Sequence, residues 1–300
     1  MTTFLKGLVG LLAIAATVYA WASRGPTSAR ARYRRMADDV LADPGPTTIL
    51  TEEDLAPLPE PVAAYVRRSG AVGLPRVTSL RARIHGRIRA GTDRPWMPFT
   101  GEQVNTYGSW PNRLFFMDAR MFGLPVDVFH HFVGPSATME VKVCSLVPMA
   151  EARGPEMDRS ETVTIFNDMC VLAPAALVGA PIAWREIDDR TVEGTFTRGE
   201  HTVSARLVFG DDDRLVDFVA DDRSRSSSDG TTFTPQRWST PLREPRQFGR
   251  RRIASVGEAR WHAPEPEGEF AYLEFVTDDI AYNVGTGRED PAAAATGLMG

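Results

Sequence analysis

Glu161, Thr164 and Asp168 fall at i, i+3 and i+7 of the run ETVTIFNDMCVLAP. On a helix they share one face and would present two carboxylates and a hydroxyl together. Turned inward, Asp168 is a candidate general base or a contact for a ligand headgroup; turned outward, it belongs to a solvated stripe. An unpaired buried carboxylate is costly, so the inward case requires a cationic partner, and Arg120 and Arg223 are the partners expected. His130 and His131 in VDVFHHF are the only adjacent histidines. Neighbouring residues of a strand point to opposite faces, so the two cannot ligate one metal together. Asp127 and Asp168 could complete a mononuclear site with one of them, against the plainer outcome of one inner and one surface histidine; no metal site is assigned. Asp168 with His130 or His131 as an acid–base pair is the enzymatic alternative. Cys144 and Cys170 stand in neither CxxC nor zinc spacing, and read as two small buried hydrophobes or, in an oxidising compartment, one disulfide. P-loop, GxSxG, HExxH and dinucleotide-binding glycine motifs are absent, and no cofactor is expected.

The elements that must position these residues follow from periodicity. RVTSLRARIHGRIRA, from residue 76, alternates apolar and charged residues as a half-buried strand does. Further strands are expected at about 98–108, 113–122, 126–133 and 137–147, separated by GTDRP, GSWPN, GLP and VGPS, which makes an antiparallel meander. Residues 158–178 read as a helical insert: Asp158 and Glu161 have capping-box-like spacing, two apolar stripes run through Phe166 and Met169, Pro174 restarts the run and Gly179 ends it. Six more strands follow, with SRSSSDGTT at 224–232 as a mobile polar loop. Arg243, Arg246, Arg250, Arg251 and Arg252 form a basic turn, either a solvated hairpin or a contact for anionic lipid.

The 300 residues carry a net charge of -5, which argues against nucleic-acid binding. The charge is uneven. Lys6, Arg24, Arg30, Arg32, Arg34 and Arg35 make residues 1–36 basic, beside the charge-free Gly7–Ala22. As a helix that stretch spans about 24 Å, close to a ~30 Å hydrocarbon core once flanking residues are counted. Residues 1–23 are therefore expected to be a single-pass membrane anchor, contacting the membrane through residues 4–22, with a cleaved export signal ending at Ala20-Trp21-Ala22 as the alternative. The membrane side stays open. Residues 24–50 read as a basic helix with Ser28 as N-cap and a Pro/Gly linker at 43–48, residues 51–284 as one domain, and 285–300 as a disordered tail.

The expected class is α+β, mainly β: a curved antiparallel sheet of about eleven strands, a half-open barrel, covering the central helical segment. That element order resembles the periplasmic lipoprotein-carrier fold over residues 76–284, whose members hold acyl chains between a curved sheet and its helices. The strings LPEPVAAYVRRSGAVG, WMPFTGEQ, FNDMCVLAPAALV and GRRRIASVGEARWH are similar in order to those of a bacterial family of unknown function that usually has an N-terminal membrane segment. The resemblance implies no activity. The leading expectation is a membrane-associated carrier of a lipid or other apolar molecule, with no nucleic-acid partner. Phe166, Met169, Cys170, Leu172, Phe115, Phe129 and Trp238 would line its cavity, and Asn167 and Asp168 would anchor the helical lid. A structural or partner-binding envelope domain is the third reading.

Overall fold

Alternation places Leu80, Ala82 and Ile84 of the first strand inside, and Arg81, Arg83, His85 and Arg87 outside. There the outer side chains meet Glu102, Asp279, Asp278 and Glu274 of the neighbouring strands, so each outward arginine finds a cross-strand carboxylate and His85 lies against that of Asp278. The same rule builds the rest of the sheet. The computed structural model describes residues 2–42 and 48–285. Its helices are α1 (Thr2–Arg24), α2 (Ala29–Val40), α3 (Glu60–Arg68) and α4 (Pro155–Leu172), with a 3-10 turn at Pro174–Leu177. Before α4 come β1 (Ser79–Ile88), β2 (Met97–Thr106), β3 (Asn112–Met121), β4 (Leu124–Val133), β5 (Ser136–Val143) and β6 (Val147–Arg153). After it come β7 (Ile182–Asp188), β8 (Thr191–Arg198), β9 (His201–Phe209), β10 (Leu215–Ala220), β11 (Ser224–Ser226), β12 (Phe233–Pro235), β13 (Trp238–Ser239), β14 (Leu242–Phe248), β15 (Arg251–His262) and β16 (Glu269–Tyr282).

One antiparallel sheet of 14 strands runs β6-β5-β4-β3-β2-β1-β16-β15-β13-β10-β9-β8-β7, with β14 beside β15, while β11 and β12 form a separate hairpin. The two meanders meet at the β1–β16 seam, where Leu80 faces Tyr282. β6 and β7 are the two ends of the sheet, and α4 is the chain's path between them. A helix of 18 residues is about 27 Å long, enough to cross the concave side of a sheet this wide. From Ser160 to Leu177 every residue is buried. Burial all round, not along one stripe, marks a core helix.

The convex side has a smaller core of its own. Ser28 caps α2, its Oγ accepting from the Ala31 amide at 3.1 Å as expected. Tyr33, Ala37 and Leu41 then pack on Val104, Leu114, Phe116 and Phe129. The basic helix turns part of its charge to the sheet: Arg30 and Arg32, each about a third exposed, pair with Asp118 and Glu140 and lie over the Phe116 and Phe129 rings.

Other expectations change as well. α1 is a continuous helix, but among the described residues no helix is long and apolar enough to cross a membrane, so the expected single-pass anchor is not supported. The charge-free run between Lys6 and Arg24 is short for a ~30 Å core and rich in Gly and Ala. A sixth strand, β6, precedes α4, and β14 appears where Pro245 and four charged or amide residues hid it. SRSSSDGTT forms most of the β11–β12 hairpin. Asp158 does not cap α4. The helix starts at Pro155 behind Gly154 (φ 106°), and Asp158 Oδ1 accepts from the Ala137 amide of β5 at 2.5 Å. Except for Thr48, the expected linker lies outside the described residues, as does the expected tail beyond Gly285.

Candidate binding site

Three neighbouring strands aim polar side chains at α4. Gln103 and Asn105 share the inner face of β2; Arg113 of β3 is opposite Asn105; and Gln103, Phe115 and His130 are aligned across β2, β3 and β4. The inner face of a sheet is normally apolar, so each of these groups needs a partner. α4 supplies it. Asp168 Oδ2 accepts from Gln103 Nε2 (2.8 Å), Asn105 Nδ2 (2.9 Å) and Arg113 Nε (2.8 Å). Arg113 also reaches Glu161 Oε2 at 3.2 Å. Thr164 Oγ1 donates to Glu161 Oε1 at 2.9 Å and accepts from Arg223, whose guanidinium lies 4.5 Å from the Trp238 ring centroid.

Two guanidinium groups thus face two carboxylates. Burial raises the Asp168 pKa against the pull of Arg113 and Asn105. Burial would also raise that of Glu161, but its contacts with His130 and with the guanidinium groups of Arg113 and Arg223 outweigh it and hold this carboxyl well below its usual range. His130 is desolvated and held below the ordinary imidazole value, which favours the neutral ring. Its Nδ1 lies 3.3 Å from Arg113 Nη1, the geometry of an acceptor, and its Nε2 lies 3.2 Å from Glu161 Oε1 without good alignment. With a neutral imidazole the cluster has no net charge, which is the condition for burying it.

The aligned face of Glu161, Thr164 and Asp168 is therefore present and turned inward. Of the expected partners, Arg223 is in the cluster and Arg120 is exposed on the outer face. The main partner, Arg113, escaped the sequence reading because it stands among the apolar residues of NRLFFM, and only strand register brings it over α4. His130 points inward and His131 outward, as alternation requires. His131 packs against Phe129 with the rings tilted and their centroids 4.8 Å apart, and burial pushes its pKa down to about 4. Asp168 and His130 both contact Arg113 and not each other among the described contacts, so the acid–base pair is not assembled. No cluster among the described residues could hold a metal ion, and both cysteines are free.

Phe166, Met169, Cys170 and Leu172 lie in the main core with Phe115 and Trp238, whereas Phe129 is on the other side of the sheet under α2. Phe166 packs on Phe196 and Phe218, and Phe218 on Trp238. Asn167 Nδ2 donates to Thr240 Oγ1 at 3.2 Å. Consecutive helical residues diverge by about 100°. Asn167 therefore grips the β13–β14 link of one meander and Asp168 the β2–β3 strands of the other. Two hydroxyls end the helix: Tyr65 Oη donates to the Cys170 carbonyl (2.8 Å) and Tyr282 Oη to that of Leu172 (2.7 Å).

α4's own side chains thus take up the space expected to hold a ligand. An open slot lies nearby, where the sheet parts. β10 pairs with β13 only through Val219 and Ala220, and the Thr240 amide donates to the Phe218 carbonyl. Beyond that point β14 follows β15 away from β10. The parting leaves a cavity of about 310 Å³ floored by Tyr65, Leu215, Val216, Leu242, Ile253 and Ala254. A second hollow, about 600 Å³, is wide and bordered by Asp188, Asp189, Asp211 and Asp213, unsuited to an apolar guest.

Residues 48–275 match the model of a family described as a family of unknown function, DUF6544. The chain belongs to this family. No functionally curated protein matches the DUF6544 chain. Among solved structures it is similar to an outer membrane lipoprotein-sorting protein domain from Vibrio parahaemolyticus (10% identity, TM-score 0.41, covering 73% of this chain and 91% of that one). It is also similar to a DUF1329 family protein from Desulfovibrio piger (11%, 0.42, 80% and 98%) and a LolA superfamily protein from Nitrosomonas europaea (12%, 0.40, 73% and 92%).

Proposed function

We propose that this protein binds a lipid or another apolar small molecule, and that the ligand sits in the slot between β10 and β14. The slot itself carries this reading: an apolar, solvent-open cavity of about 310 Å³ in a sheet whose concave side is covered by a helix buried from Ser160 onward. Asn167 anchors Thr240 at the head of the slot, which ties α4 to the shape of the site. In this reading Phe166, Met169, Cys170 and Leu172 set the position of the walls and do not touch the ligand. Val9, Ile14, Val18 and Trp21 of α1 are exposed, and we assign them a role in holding the domain near a membrane surface.

Native mass spectrometry of the full chain isolated from cells tests the main claim. The expected result is a bound apolar mass that organic extraction releases and that a fluorescent alkyl probe replaces at one site. A chain that carries no such mass and leaves the probe in solution ends the proposal. For α1, the chain should float with liposomes, and replacing Ile14, Val18 and Trp21 by Ser should leave it in the soluble fraction.

A further inference from the structure

We propose that the slot between β10 and β14 selects a single-chain anionic amphiphile, with the alkyl chain on the apolar floor and the acid head against an arginine rim. This rests on the slot being the apolar-ligand site and adds the chemical class of the ligand.

The rim carries Arg68, Arg214, Arg243 and Arg252. Their carboxylate partners do not match them one for one. Arg68 and Arg214 share the single carboxylate of Asp212. Arg243 pairs at 2.8 Å with Glu258, which Arg260 also holds at 2.7 Å. The exposed side chain of Arg252 has no carboxylate partner among the described contacts, and Glu244 is the one acid among the residues that line the slot. The rim is therefore net positive beside an apolar floor, and a guanidinium presents paired N–H donors that match a carboxylate. The basic run at 250–252 resolves accordingly: Arg251 turns inward over the Tyr282 ring, its centroid 4.5 Å away, and Arg252 turns out to the slot.

The walls argue against a peptide. A strand added at a sheet edge needs an unbroken row of N–H and C=O groups. Pro245 has no N–H. Glu244 is left-handed (φ 55°), and its carbonyl already accepts from Ser255 Oγ at 2.7 Å. On the facing wall, Val216 falls at the register shift between Leu215 and Asp217. An alkyl chain makes no such demand.

The test is calorimetric titration of the full chain, below micellar concentrations, with dodecanoate, neutral monododecanoylglycerol and dodecyltrimethylammonium. Dodecanoate should bind about 10-fold or more tightly than the neutral lipid, the cation should bind weakest, and added salt should narrow the gap. Arg252→Glu, at an exposed position, should weaken dodecanoate about 10-fold and leave the neutral lipid unchanged. Ala254→Phe and Val216→Trp fill the floor separately and should each abolish both; whichever folds, judged by circular dichroism and melting, suffices. Equal binding of acid and neutral lipid, unmoved by Arg252→Glu, overturns the selectivity while apolar binding stands. Binding that survives a folded filling variant overturns the site. Absence of binding by all three probes overturns this inference and the function beneath it.

Discussion

Arg113 is the residue on which the buried cluster depends. It holds Asp168 and Glu161, and it is 6% exposed. Removing one partner of a buried ion pair costs more than the pair contributes, because a charge is left stranded. Arg113→Met is therefore expected to destabilise the fold by about 3 kcal/mol or more in urea unfolding, and adding Asp168→Asn should restore part of the loss. A loss no larger than that of a typical surface substitution would show that the cluster does not clamp α4. Asp217 makes a different prediction. Burial pushes its carboxyl up to about 6, although the Phe218 and Thr240 amides stabilise the anion. The folded state then holds the proton more tightly than the unfolded one, so its contribution is fully present below about pH 4 and falls as pH rises to about 6. Discounted for its partial exposure, the loss at pH 7 is about 1–2 kcal/mol. Asp217→Asn should melt with the wild type at pH 4 and above it at pH 7. Equal melting temperatures at both pH values would reject this account.

At the scale of elements, the seating of α4 depends on a missing side chain in β8. A Cβ at Gly194 would lie 2.6 Å from Phe166 Cζ and 2.7 Å from Trp184 Cζ3. Those are rings packed on other rings, with little room to move. Gly194→Val should lower stability by about 2–3 kcal/mol, read from the denaturation midpoint. Phe166→Leu in the same chain should recover part of it, whereas no recovery would place the strain elsewhere. On the convex side, α2 depends on Tyr33, which meets the Phe116 and Phe129 rings at 5.8 and 5.9 Å and donates to Glu102. Tyr33→Ala should cost about 3 kcal/mol and expose the α2 amides to hydrogen exchange before those of the sheet. Simultaneous exchange of both would mean that α2 is not a separate unit.

For the whole molecule, the two meanders are joined at the β1–β16 seam, through α4, which Asn167 and Asp168 fasten to opposite halves, and through Arg198 of β8, which donates to the Pro111 and Gly134 carbonyls of the other half. The chain should consequently unfold in one transition. Far-ultraviolet circular dichroism and the fluorescence of Trp238 and Trp261 should give the same midpoint. Two separated midpoints would show that the halves are independent and that α4 belongs to one of them. A ligand that binds the folded slot should raise the common midpoint without splitting it, since it stabilises the only state that has the slot.

Alternation and helical period suffice to locate β1, the meander around it, the central helix, and the inward face of Glu161, Thr164 and Asp168, because these signals are local and repeat within a few residues. They also separate His130 from His131. The partners lie beyond them: Arg113 meets Asp168 only through strand pairing over 55 residues, and Thr240 meets Asn167 over 73. β14 was hidden because Pro245 and its charged neighbours read as a turn, although β15 pairs it into the sheet. How far the concave side is filled depends on the width of the assembled sheet against the length of one helix. The slot exists because β10 and β14 part after Thr240. Both are relations between distant segments, decided when the chain closes on itself.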